Sequence, residues 1–330
     1  MKLAARYLGF DLDCPIVPGA SPLADTLDSA KRLEDAGAPM IVVHSLFEEQ
    51  LASQQMNVTW AMEHGDHSYG EALSYLPDTA DFRLGPDDYL NHIANLKQSL
   101  VIPVVGSING RELGSWLEFA RLIVQAGADA LELNIYEPAM DADFSSLDLE
   151  SRLLEIVREV CKQARVPVAV KLSPFYAGFA HLARDICAAG AAALVIFNRF
   201  YQPDIDLAAM EVRRRVRLST SEELPLRLRW AAALHGRINA QIAITGGVHS
   251  GTDVVKCILA GADVAQVVSC LLAQGPAYFA RLRAELATWV DENQYENIAQ
   301  MRGSMSLRNC PNPSAYERAN YMQILASWTH

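Results

Sequence analysis

An α/β chain folded as a (β/α)8 TIM barrel, with long loop insertions after its second and sixth strands, is what this sequence predicts, on three observations. Short apolar runs alternate with amphipathic stretches along most of the chain. Four of those stretches end in one spelling, Ala36-Gly37-Ala38, Ala126-Gly127-Ala128, Ala189-Gly190-Ala191 and Ala260-Gly261-Ala262, each just before an apolar run. Polar residues and one lysine collect at the far ends of the runs, where a barrel of this kind places its chemistry.

The runs are Ile16 to Gly19, Met40 to Val43, Ile102 to Ile108, Ala130 to Ile135, Pro167 to Leu172, Ala193 to Phe197, Gln241 to Thr245 and Val264 to Val268. They lack clean period-2 alternation, as expected of parallel strands covered by helices outside and packed residues inside. Helices are expected over Leu23 to Glu34, Pro86 to Gln98, Arg111 to Gln125, Leu147 to Ala164, Ala177 to Ala188, Glu222 to Leu234, Thr252 to Leu259 and Pro276 to Val290. A glycine just past a helix takes positive φ without a Cβ clash and releases the chain into the next element, so the repeated Ala-Gly-Ala marks repeated αβ junctions. Residues 46 to 100 break the rhythm, and only their end reads as helix. A second insertion, Asn198 to Ser221, follows the sixth strand. Long loops after strands lie on the catalytic face of a barrel. Residues 1–290 are read as the barrel domain, and 291–330 as an extension packed on it or at a dimer interface.

The 330 residues suit one large domain, and 51% hydrophobic with 20% charged residues is an ordinary globular composition. A formal charge of −11 argues against nucleic acid, whose binders set a basic surface against the polyanion. The six cysteines, Cys14, Cys161, Cys187, Cys257, Cys270 and Cys310, form no C-x-x-C pair, so they read as reduced thiols with no metal or iron–sulfur site. Asp11 and Asp13 interrupt the N-terminus before any long apolar run, and no stretch has about 18 uninterrupted apolar residues. A cytoplasmic protein without a membrane segment is expected.

The strand ends carry Gly19-Ala20-Ser21, His44-Ser45, Ser107-Ile108-Asn109, Asn134, Lys171, Asn198, Thr245-Gly246-Gly247 and Ser269. Any one Asn or Ser there could be a turn or helix cap. Lys171 ends a run of apolar neighbours, either as a surface lysine or as a cation aimed into the barrel mouth to stabilise an anion. Gly246-Gly247 leads toward a helix, and backbone N–H groups exposed by glycines suit a phosphate. Phosphate sites after the seventh and eighth strands recur in this architecture.

The ordered set Pro15-Ile16-Val17-Pro18-Gly19-Ala20-Ser21, Glu132-Leu133-Asn134, Pro167 to Pro174, Phe197-Asn198, Thr245-Gly246-Gly247-Val248 and Gly251-Thr252-Asp253-Val254 resembles the flavin-dependent dihydroorotate dehydrogenases, specifically the soluble first class and its relatives. The resemblance implies an FMN across the barrel mouth, bound by Ala20, Ser21, His44, Ser45, Asn134, Lys171, Phe197, Thr245, Gly246, Gly247, Val268 and Ser269. It further implies oxidation of dihydroorotate or a close analogue by hydride transfer to flavin N5, Asn134 and Asn198 as substrate-binding residues, and a homodimer. Lys171 would stabilise the negative charge of reduced flavin.

The sequence departs from the family at several positions. The family's catalytic cysteine is replaced by Glu137, two of its asparagines by Ala139 and Ala72 (the latter ahead of Leu76-Pro77-Asp78), a flavin-contacting lysine by His44, and a phosphate-turn glycine by Val268. Glu137 is either the catalytic base, if a dry lid raises its pKa, or a solvated loop acid. Three other readings stay open: an FMN enzyme of another substrate, a flavoprotein that binds or regulates without catalysis, and a non-flavin, phosphate-binding lyase or isomerase with Lys171 as a Schiff-base former.

Overall fold

A computed structural model of the chain describes residues 2–48, 86–135, 140–199, 203–213 and 217–316. The eight runs form one parallel sheet of β3 (Ile16–Pro18), β4 (Ile41–Phe47), β5 (Val104–Asn109), β6 (Ala130–Asn134), β7 (Val168–Leu172), β8 (Ala193–Ile196), β11 (Gln241–Thr245) and β12 (Val264–Val267). The order is β3-β12-β11-β8-β7-β6-β5-β4, with β3 lying against β4, so the sheet closes into a (β/α)8 TIM barrel.

Around it run α1 (Leu27–Asp35), α2 (Pro86–Ser99), α3 (Leu113–Gln125), α4 (Ser146–Gln163), α5 (Phe179–Ala188), α6 (Leu224–Leu234), α7 (Gly251–Ala260), α8 (Ser269–Gln274), α9 (Tyr278–Glu292) and α10 (Ile298–Met301). The Ala-Gly-Ala signal works as expected. Gly37, Gly127, Gly190 and Gly261 have φ of +93°, +104°, +113° and +121°. Ala38, Ala128, Ala191 and Ala262 each donate to the carbonyl five residues back, at 3.0–3.3 Å, which is the Schellman closure.

Local chemistry shifts some boundaries. The helix expected from Leu23 divides into a 3-10 turn at Pro22–Ala24 and α1, because the Thr26 side chain accepts from Ser29 N–H and starts a new helix. The second barrel strand continues to Phe47, with a register shift between Val42 and Ser45. Ser145 and Asp148 form a capping box that starts α4.

Apolar packing falls into two clusters. The outer one lies between sheet and helices and includes Ile108, Trp116, Phe119, Ile123, Leu131 and Leu133. The inner one fills the lower barrel with Val17, Val42, Val105, Ala130, Ala169, Ala193, Val195, Ala243 and Val264. Two short strands not expected from the sequence, β1 (Ala5–Tyr7) and β2 (Phe10–Leu12), pair antiparallel and send Tyr7, Leu8 and Leu12 into this inner cluster as a floor. Gln241 pins the hairpin: its Oε1 accepts from Leu8 N–H at 2.7 Å, and its Nε2 donates to Arg6 O at 2.6 Å.

The second insertion contains another unforeseen antiparallel pair, β9 (Asp204–Asp206) with β10 (Glu211–Arg213). The chain after α9 lies along α6 and α7: Gly303, Met305 and Leu307 donate backbone N–H groups to Ile258, Leu259 and Ala232, and Met301 is buried. All six cysteines are free thiols, and among the described residues no helix is long and apolar enough to cross a membrane.

Gly106 on β5 has no room for a side chain, since a Cβ there would lie 2.3 Å from Ile123 Cγ2 on α3. Gly106→Ala is expected to cost about 1–3 kcal/mol, read by urea denaturation. An unchanged midpoint would show that the contact relaxes freely.

Candidate active site

Alternation along the strands decides what reaches the barrel axis. On β6, Ala130, Glu132 and Asn134 face inward while Leu131 and Leu133 face the helices. On β7, Ala169 and Lys171 share the inner face in the same way. Lys171 and Glu132 are 7% and 1% exposed, and Lys171 Nζ lies 3.3 Å from Glu132 Oε1. Gln266, from the last strand, donates Nε2 to Glu132 Oε2 at 2.9 Å. The lower barrel is apolar, and this charged layer separates it from the mouth.

Above the layer opens a cavity of about 670 Å3, its mouth included. Of the sequence-predicted residues it brings together Ala20, Lys171, Phe197, Asn198, Thr245, Gly246, Gly247, Val268 and Ser269. Sequence reasoning missed Arg199, Ser219 and Gln266, which line the same cavity. Ser219 comes from the second insertion and is buried. Its backbone N–H donates to Ser269 Oγ at 3.1 Å, its Oγ donates to Ser269 Oγ at 2.9 Å, and it accepts from Gly247 N–H at 3.3 Å. His249 Nε2 lies 3.0 Å from Ser219 Oγ.

Gly246 and Gly247 hold φ of +83° and +85°. A Cβ at Gly246 would lie 2.8 Å from the Arg227 guanidinium, and one at Gly247 would lie 2.7 Å from Leu224 N at the start of α6. Arg227 is buried behind this loop, donating Nε to Thr245 O at 2.8 Å and Nη1 to Glu223 O at 2.6 Å. Arg199 Nε donates to Glu223 at 3.1 Å, so one carboxylate orders both arginines near the glycine loop.

On the other side of the mouth, hydroxyls and amides form a chain. Ser107 and Ser45 Oγ atoms are 2.8 Å apart, Asn134 Nδ2 donates to Ser45 Oγ at 3.0 Å, and Asn198 Nδ2 donates to Asn134 Oδ1 at 2.6 Å. Asn109 Nδ2 donates to the Asn134 carbonyl at 2.8 Å. Both asparagines expected to hold substrate are therefore joined directly.

His44 lies beside this chain with Nδ1 2.6 Å from Asp25 Oδ1 and its ring edge-on to Tyr89, so its Nδ1 is turned toward Asp25. Ser21 is buried and starts the turn at Pro22–Ala24. Cys270, next to Ser269, is pushed up to about 11 by burial and is no thiolate nucleophile at neutral pH. Glu137, Ala139, Ala72 and Leu76-Pro77-Asp78 lie outside the described residues.

A family profile described as dihydroorotate dehydrogenase matches residues 83–290, which include β5–β12 and their strand ends. The chain belongs to the dihydroorotate dehydrogenase family. It is an oxidoreductase acting on CH–CH groups. Over 305 residues it is 26% identical to the dihydroorotate dehydrogenase B (NAD(+)) catalytic subunit of Thermoplasma acidophilum, covering 91% of this chain and 98% of the relative. The protein of the same name from Thermoplasma volcanium is also 26% identical, with 91% and 97% covered. One from a Geobacillus species is 28% identical over 210 residues, with 61% and 66% covered.

Proposed function

We propose that the chain is an FMN-dependent dihydroorotate dehydrogenase, oxidising dihydroorotate or a closely related small cyclic anionic substrate to its unsaturated product. One observation carries the reading: a single cavity joins a buried lysine, a glycine pair held at positive φ and two clustered serines. That donor set fits FMN. The backbone of Gly246-Gly247 with Ser269 and Ser219 would hold the phosphate, and Lys171 would lie at the flavin's pyrimidine edge. FMN supplies the hydride acceptor and an edge that gains negative charge on reduction.

The protein's own contribution is positioning and charge. Arg227, fixed behind the glycine loop, adds positive potential at the phosphate end. Asn134 and Asn198, ordered through Ser45, would orient a flat ring by its polar edges. Glu137 would take the proton if it acts as base. The lyase or isomerase reading fits less well, because Lys171 Nζ is engaged by Glu132 Oε1 at 3.3 Å, whereas a Schiff-base former must present its nitrogen to a carbonyl carbon.

The chain is also proposed to act as a homodimer in the cytoplasm, with residues 1–290 as the FMN-binding barrel. The replacements at Ala72, Ala139 and Glu137 favour a second reading, an FMN enzyme of a different reduced substrate. Purified protein reconstituted with FMN is expected to show a bound-flavin absorption spectrum that dihydroorotate bleaches anaerobically. Bleaching only by other reduced ring compounds would select the second reading, and failure to bind FMN would overturn both.

A further inference from the structure

The barrel axis carries a charge that the proposed chemistry leaves unused. Glu132 is buried, with one carboxylate oxygen on Lys171 Nζ at 3.3 Å and the other on Gln266 Nε2 at 2.9 Å. Beneath this layer, Tyr7 from the floor hairpin has its phenol pushed well up by burial and by the negative charge of Glu132. A lysine bound to a carboxylate acts on its surroundings as a dipole, and its field falls away faster than that of a lone cation. Such buried pairs are often no more stabilising than an apolar replacement, so packing alone does not explain the acid.

We propose that Glu132 is a positioning residue, one that holds Lys171 at the cofactor edge and limits how strongly its charge stabilises the reduced cofactor. The proposal rests on the FMN reading above. Lys171 lines the cavity, while Glu132 sits behind it and reaches the cofactor through it. The pair sets the electron affinity of the site from within the barrel, at a position that no substrate contact requires.

The geometry supplies a conservative test. Gln266 meets Glu132 through Nε2 and turns its other end toward the Tyr7 hydroxyl, which can donate or accept. In Glu132→Gln, the Gln266 amide can therefore turn over to accept from the new amide N–H and donate to Tyr7, while the new carbonyl still accepts from Lys171. Shape is kept and only the charge is lost. The FMN-loaded proteins are equilibrated with a reference redox dye. Glu132→Gln is expected to raise the equilibrium constant for flavin reduction about tenfold, which is about 30 mV for a two-electron couple. Glu132→Asp keeps the charge but withdraws it by one methylene, so it shifts the constant the same way by a smaller factor, which keeps the test usable if Glu132→Gln does not fold. An unchanged or lowered constant in a variant that retains FMN overturns the proposal alone. Wild-type protein that binds no FMN overturns the functional reading with it.

Discussion

Lys171→Gln is expected to slow substrate reduction of bound FMN by about 100- to 1,000-fold, the scale seen when one preorganised charge-stabilising group is removed from a transition state. FMN itself should still bind, because the glycine loop and Ser269 are untouched. The same change strands Glu132 without its cation, and breaking a buried pair from one side costs about 3–5 kcal/mol. The double variant Lys171→Gln with Glu132→Gln separates the two effects. It should recover most of the stability, read by thermal unfolding, and little of the rate, read by anaerobic stopped flow. Recovery of both would mean that Lys171 is only a structural partner of Glu132. Comparison with Glu137→Gln then ranks the roles: if that carboxylate is a bystander, its loss slows reduction far less than Lys171→Ala, and the opposite ranking makes it the base.

Gly247→Ala is expected to lower FMN affinity by about 10- to 100-fold, the worth of one hydrogen bond to a charged group. The new methyl group would lie 2.7 Å from Leu224 N and 3.0 Å from Leu224 Cα. These are backbone atoms at the start of α6 and cannot rotate aside, and the φ of +85° is itself strained for alanine. Relief requires the loop to move, which carries its N–H groups away from the phosphate position. Riboflavin lacks the phosphate and should lose much less affinity, measured by fluorescence quenching of each ligand. Equal losses would remove the phosphate from this loop.

The barrel could be read from the sequence because its signals are local. Each apolar run is long enough to recognise, and the Ala-Gly-Ala endings report a backbone conformation that few residues other than glycine adopt easily. The floor hairpin was not foreseen because three-residue strands such as Ala5–Tyr7 are too short to show a period, and Asp204–Asp206 reads as polar loop. Lys171 stood out as a charge at the end of an apolar run. Glu132 did not, although its spacing of two from Asn134 already places both on one face. Ser219, Arg199 and Arg227 come from an insertion and a helix, and only tertiary packing brings them to the glycine loop. No periodicity within the sequence encodes that meeting.

The floor hairpin also sets a schedule for synthesis. Leu8 and Arg6 bind a side chain at residue 241, and β3 pairs with β12, so the hairpin waits for partners made 233 or more residues later. Until then Tyr7, Leu8 and Leu12 are apolar groups on a nascent chain with no barrel to enter, the kind of exposed segment that holdase chaperones shield.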